Sequence, residues 1–293
     1  MERSDFGSES TAEDVTLGLD LSGKTFLVTG CNSGLGLETI RVLGLRGAHV
    51  VGTARTREKA AAAIEGAGIA GTPLACELSE ASSVRECVKA VAALGRPLDG
   101  LIANAGIMAL PEPRTTCGLD LQFLTNHIGH FILVTETLSC LSADGRVVML
   151  SSGAHRMAPP AGIEFDNLSG ERDYQPWKMY GQSKLANILF AKQLAKRFAG
   201  TARTANAVHP GVIRTNLVRH LEQPEKMLST LTLKSVEQGA ATQCLVATHP
   251  ELRSVSGEYF ADCQVKPADP RADDVELAER LWKRSEEIAA GLS

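Results

Sequence analysis

The stretch Thr25-Phe26-Leu27-Val28-Thr29-Gly30-Cys31-Asn32-Ser33-Gly34-Leu35-Gly36 decides the fold. Its first five residues form a short apolar, β-prone run, a glycine-rich turn follows, and from 35 to 45 apolar residues recur at helical spacing. The segment reads as strand, turn and helix. Compact apolar runs at 49–53, 72–76, 98–103, 146–151 and 204–209, and a last one at 257–261, are separated by stretches long enough for helices. Such alternation predicts parallel pairing through right-handed crossovers, hence an α/β fold with a doubly wound, mostly parallel sheet and helices on both faces. The expected division is a polar N-terminal extension at 1–20 and a single domain at 21–293, without internal repeats or a Pro-rich linker.

A chain of 293 residues, 44% of them hydrophobic, can bury a full core. Acids and bases are interspersed and sum to a formal charge of −4, which leaves no broad basic field for nucleic acid or anionic lipid. The seven cysteines are odd in number and never form a Cys-x-x-Cys pair. They read as reduced thiols, neither a disulfide framework nor a metal site. Segment 1–20 is polar and acidic where a signal peptide is basic and then apolar, and no later stretch offers about 18 uninterrupted apolar residues. The expectation is a cytoplasmic protein without nucleic-acid, membrane or metal partners.

The turn Gly30-x-x-x-Gly34-x-Gly36 places backbone N–H groups at the positive end of a helix dipole, where phosphates bind. Glycines suit that place because a Cβ blocks close approach of a pyrophosphate. The spacing differs from Gly-x-Gly-x-x-Gly, and glycines at a tight turn also serve structure alone. The context of strand, turn and helix favours a Rossmann-type dinucleotide site at Gly30, Asn32, Ser33, Gly34, Leu35 and Gly36. After the second strand, where an NAD site sets a carboxylate on the ribose 2′-hydroxyl, the chain reads Ala54-Arg55-Thr56-Arg57. A guanidinium there pairs with a 2′-phosphate, so Arg55 favours NADP(H) over the alternative, NAD(H). The competing reading makes Arg55 and Arg57 solvated residues that open a helix.

Tyr180 and Lys184 lie four positions apart in a helical pattern and therefore share a face. A free phenol, with a pKa of roughly 10, is a poor acid or base near neutrality, but an adjacent positive charge lowers that value. This is one way to make a proton-transfer group for alcohol and carbonyl chemistry; on exposed helices the same pair is usually an amphipathic neighbour pair. Two long irregular stretches, 153–177 and 217–234, have the length of functional loops. The second carries Leu217, Val218, Leu221, Met227, Leu228, Leu231 and Leu233, which suit a hydrophobic substrate or a helix that merely packs. His127, His130, His155 and His209 read as structural.

Six motifs occur in order: Thr29-Gly30-x-x-x-Gly34-x-Gly36, Asn104-Ala105-Gly106, Asn126, Ser151-Ser152, Tyr180-x-x-x-Lys184 and Pro210-Gly211. In this order and in these strand contexts the chain resembles the short-chain dehydrogenase/reductase family from about residue 21 onward. Asn126-His127-Ile128-Gly129-His130-Phe131, Ser151-Ser152-Gly153-Ala154-His155 and His209-Pro210-Gly211 resemble its retinol-dehydrogenase-like and WW-domain-oxidoreductase-like branch. The resemblance implies that Tyr180 is the acid in carbonyl reduction and the base in alcohol oxidation. Lys184 would lower its pKa and hold the nicotinamide ribose, Ser152 would hydrogen-bond the substrate oxygen, and Asn126 would hold a water linking Lys184 to solvent. Adenine and ribose contacts would come from Asn104, Ala105, Gly106 and Glu77-Leu78, Glu77 standing where the family usually has aspartate. Pro210, Gly211, Val212 and Thr215 would meet the nicotinamide.

The implied activity is hydride transfer between NADP(H), or alternatively NAD(H), and a carbonyl or secondary alcohol on a hydrophobic small molecule, steroid-like, aromatic or polyketide-like, by a homo-oligomer. A reading of another class is an NADP(H)-binding sensor or scaffold without turnover. Such a protein is expected to lose its proton-transfer residues, and all four remain. Hydrolysis lacks a Gly-x-Ser-x-Gly elbow.

Overall fold

The structure, a computed structural model, describes residues 5–213 and 232–292. Strands β1 (Thr25–Thr29), β2 (His49–Ala54), β3 (Gly71–Ala75) and β4 (Leu98–Ala103) are followed by a separate hairpin, β5 (Thr115–Thr116) with β6 (Leu119–Asp120). Then come β7 (Leu141–Leu150), β8 (Thr204–His209), β9 (Tyr259–Ala261) and β10 (Gln264–Val265). The main sheet has the order β10-β9-β8-β7-β4-β1-β2-β3, parallel throughout except for antiparallel β10 at one edge. The order reverses between β1 and β4, so a crevice opens at their C-terminal ends.

Both faces are covered, which is why the strands read as continuous apolar runs instead of alternating with polar residues. Leu27, Val51, Leu101, Val147 and Met149 face one core, shared with α4 (Ala81–Ala93), α6 (Gly129–Thr137), α7 (Pro176–Arg197) and α9 (Val275–Gly291). Phe26, Val28, Val50, Ile102, Val148 and Leu150 face the other, under α2 (Gly34–Leu45), α3 (Arg57–Gly66) and α8 (Val236–Thr248). Among the described residues no helix is long and apolar enough to cross a membrane.

The segment read as a polar extension contributes to this second core. Its Thr11 and Asp14 close a capping box around α1 (Ala12–Val15), and Ala12 and Val15 are buried against α8. Two apolar side chains in a polar stretch suffice because one turn of helix presents both to the same neighbour. Truncation of one of them tests whether α1 belongs to the cooperative unit. Val15→Ala should cost on the order of 1–3 kcal/mol, read as a lower urea midpoint with an unchanged slope; an unchanged midpoint would show that α1 docks without stabilising the domain.

Candidate active site

A cleft of about 440 Å³ opens at the crevice between β1 and β4. It is lined by Gly30, Asn32, Ser33, Gly34, Leu35, Gly36, Arg55, Glu77, Leu78, Asn104, Ala105 and Gly106, all expected from the sequence. Gly30 and Gly34 adopt φ of +68° and +51°. A Cβ on Gly30 would stand 2.9 Å from that of Ala105, and one on Gly36 would overlap the Gly30 carbonyl oxygen and lie 2.7 Å from Asn104 Nδ2. The turn is therefore closed to side chains. Ser33 caps α2 without a side-chain hydrogen bond, and the first turn holds no acid, in contrast to α3, α8 and α9, whose N-caps accept backbone bonds. The N–H groups of α2 are left for an external anion, so the cradle fits a dinucleotide pyrophosphate.

Sequence reading missed Leu110, Arg114, Leu121 and Thr125 on the cleft's other wall. They come from a loop and helix start whose path no motif announces. Glu77 turns its carboxylate back to accept from Ser79 N and Oγ at 3.2 and 2.8 Å. Asn104 is tied into the scaffold, donating to Thr29 O at 2.8 Å and accepting from Gln243 at 3.3 Å. A second groove, of about 520 Å³, runs along α9 between charged surface side chains such as Glu276, Arg280 and Lys283; it contains no residue of the expected site.

Gly106, at the inner end of the cleft, is where the cofactor cradle meets the proton-transfer groups. A Cβ there would stand 3.1 Å from Asn126 Oδ1 and 3.4 Å from Lys184 Nζ. Lys184 and Tyr180 lie on α7, which starts with Pro176 in its first turn and is buried from residue 179 through 191. Gly181 allows this helix to lie against the turn after β7, since a Cβ would come within 2.8 Å of Ala158 N and Met157 C. That approach brings Tyr180 beside Ser152, whose hydroxyl accepts from Ala154 N.

The phenol departs from the expected lowering. Burial pushes it up to about 12, and the nearby Ser152 hydroxyl only moderates that rise. The reason is that Lys184 Nζ sits 5.6 Å from the ring centroid, bonded to the Leu150 carbonyl at 3.1 Å, and is itself pushed down to about 8 by burial.

Asn126 lies in a single turn of π-helix (Leu124–Ile128) between α5 (Leu121–Phe123) and α6. Its side chain pins the Ile107 backbone, accepting from N and donating to O at 2.9 Å each, and donates to Ser183. Its own carbonyl accepts from His130 Nδ1 at 3.0 Å, which leaves His130 Nε2 to accept from the Thr29 hydroxyl at 2.9 Å. His155 donates to the Ser152 carbonyl at 2.6 Å and accepts from Asp269 N at 2.9 Å. His209 accepts from Gly153 N at 3.1 Å. Burial pushes all three imidazoles below their ordinary range, so they serve as neutral struts around the site.

Pro210, Gly211 and Val212 follow β8 beside the end of β7, where Ser151 N donates to Val208 O. They are not among the residues that line the cleft, but Ile213 comes next to Leu35, which does: a Cβ on Gly239 would stand 2.6 and 2.7 Å from the two side chains. Gly211 has φ of +98°, and Lys234 N donates to Val212 O. Lys234 also bridges Ile213 and pairs with Asp262 at 2.6 Å. Thr215, with the apolar residues from Leu217 to Leu231, lies outside the described residues; Leu233 is exposed.

The buried ammonium makes a stability prediction. Below about pH 8 both folded and unfolded chains carry the Lys184 proton, and the burial penalty is felt in full. As pH rises from there toward the ordinary lysine value of 10.5, the folded protein releases the proton first and the penalty fades. Lys184→Met should therefore raise stability at pH 7 by about 1–3 kcal/mol, with the gain shrinking by pH 10. Urea unfolding at both pH values measures it, and a variant less stable at pH 7 would contradict it.

Residues 24–226 match the sequence profile of the family described as short chain dehydrogenase. The chloroplastic short-chain dehydrogenase TIC 32 A of Brassica napus is 42% identical, over 99% of this chain and 96% of its own. Human retinol dehydrogenase 14 is 38% identical, over 93% of this chain and 88% of its own. The crystal structure of the angucycline C-6 ketoreductase LanV with bound NADP superposes with a TM-score of 0.68 at 27% identity, covering 83% of this chain and 95% of that one. With the sheet order, the glycine cradle and the Ser152, Tyr180 and Lys184 cluster in place, this chain belongs to the short-chain dehydrogenase/reductase family.

Proposed function

We propose that this protein is an NADP(H)-dependent oxidoreductase that interconverts a carbonyl and a secondary alcohol on a hydrophobic small molecule. The observation that carries the reading is the junction at Gly106, where the closed glycine cradle runs into a buried lysine one turn from a phenol that meets a serine hydroxyl. When bound, a nicotinamide supplies or accepts the hydride. Ser152 donates toward the carbonyl oxygen as charge develops on it, and Tyr180 delivers the proton. A phenol held above neutrality enters as the acid, which suits reduction at neutral pH; oxidation needs the phenolate and gains from alkaline pH. Lys184 has one N–H on Leu150 and two more for ribose hydroxyls and for charge on the phenol oxygen.

Arg55 on the cleft at the end of β2, with no acid beside it, supports NADP(H). The NADP bound in the ketoreductase structure agrees with it. Support for an apolar substrate comes from the wall around the phenol. Met108 and Ala109 are buried against Tyr180, with Ala154 and Trp177 packed beside them, Trp177 edge-on at 6.0 Å.

Two variants test the reading in a panel of hydrophobic ketones and alcohols followed by absorbance of reduced cofactor. Tyr180→Phe should bind NADPH normally and lose about 10²–10⁴ in kcat, so near-normal turnover would sink the role of the phenol. Arg55→Ala should raise KM for NADPH by about 10-fold to 100-fold while leaving that for NADH in place. Equal effects on the two cofactors would remove the case for a 2′-phosphate contact.

A further inference from the structure

The Leu150 carbonyl that anchors Lys184 also accepts from Asn187 Nδ2 at 3.0 Å, one turn further along α7. A carbonyl oxygen has two lone pairs and no proton, so both partners must donate, and the Asn187 amide can stand only one way round. Its Oδ1 is buried without a hydrogen-bond partner, as is Nδ1 of the nearby His127, which burial pushes down to about 3 and whose Nε2 pairs with Ser285 Oγ, 2.9 Å away on α9. The bond to the Leu150 oxygen thus holds the Asn187 amide and ties α7 to the end of β7 that delivers Ser152.

We propose that Asn187 is a positioning residue for Lys184. By filling the second lone pair of Leu150, it holds the ammonium to the other one and keeps the remaining N–H groups turned toward Gly106 and the cleft. Without Asn187 the ammonium can shift to the vacated lone pair and withdraw from the cleft. The inference rests on the reading of Lys184 as the group that meets the cofactor. The other ionisable groups facing the ammonium are Tyr180 on its own helix and the neutral His130 on α6.

The test compares Asn187→Leu, Asn187→Asp and Lys184→Met in the full chain, with NADPH affinity by fluorescence titration and kcat measured separately. Asn187→Leu should fold, bind NADPH about tenfold more weakly and lose at least as much in kcat, with KM for the carbonyl substrate little changed. Asn187→Asp puts a carboxylate beside the ammonium and should move the alkaline loss of NADPH affinity to higher pH by about one. Asn187→Asp decides the matter if Asn187→Leu does not fold. Asn187→Leu with normal affinity and turnover, or an Asn187→Asp profile identical to that of the unaltered protein, overturns the proposal. An unaltered protein that binds NADPH without turnover condemns the proposed function only, since the affinity measurements still report on Lys184. Normal NADPH binding by Lys184→Met overturns the role of the lysine itself and the proposal with it.

Discussion

Thr29 ties the cofactor side of this site to its proton-transfer side. Its carbonyl holds the Asn104 side chain, while its hydroxyl accepts from Ala105 N and donates to His130, which in turn holds the Asn126 carbonyl. One residue at the end of β1 thus fixes the glycine turn that follows it, the Asn104 to Gly106 wall from β4, and the helix of the π-turn. The cofactor cradle and the proton-transfer groups are separate in sequence and belong to different faces of the sheet. They keep register because both are hung from this strand end.

Burial then sets the chemistry. A lysine and a tyrosine enclosed in α7 are each driven toward their neutral forms, the ammonium down and the phenol up. A protein selected for stability alone would place apolar residues there. The cost is offset where the Leu150 carbonyl takes one N–H of the ammonium and one of the Asn187 amide and neutral imidazoles brace the surrounding turns, so that the charge that remains is aimed at the cleft.

Much of the fold was legible because a sheet covered on both faces forces long apolar runs, and all seven parallel strands among the described residues fall on such runs. What escaped notice was too short to have a period: the two residues of β10, the β5–β6 hairpin, and α1, where Ala12 and Val15 carry the contact. At the site, Tyr180, Lys184, Ser152 and the glycine turn were legible from residue type and spacing. The direction of the phenol's shift was not, since spacing shows that Lys184 is near and says nothing of how dry the surroundings are. Nor did the pattern show that the Asn126 side chain holds Ile107, or that Arg114 lines the cleft, because both depend on where the loop after β4 travels. Gly181 carried a signal that passed unread: a glycine between the phenol and the lysine, inside a helix, marks a backbone packed too closely for any side chain.

The bridge between Ile213 and Lys234, braced by the Asp262 ion pair, has a consequence for the residues that follow β8. Gly211 has φ of +98°, and a Cβ there would stand 2.7 Å from the Lys234 stem, so the lysine can lie across the strand exit only because that position carries no side chain. With Lys234 N on the Val212 carbonyl and its ammonium on Asp262, Gly211 and Val212 are clamped between the end of β8, the turn after β9 and the start of α8. Their position is an output of the sheet, set by residues far away in the chain, and a larger residue at 211 would be felt at the Asp262 pair before it was felt locally.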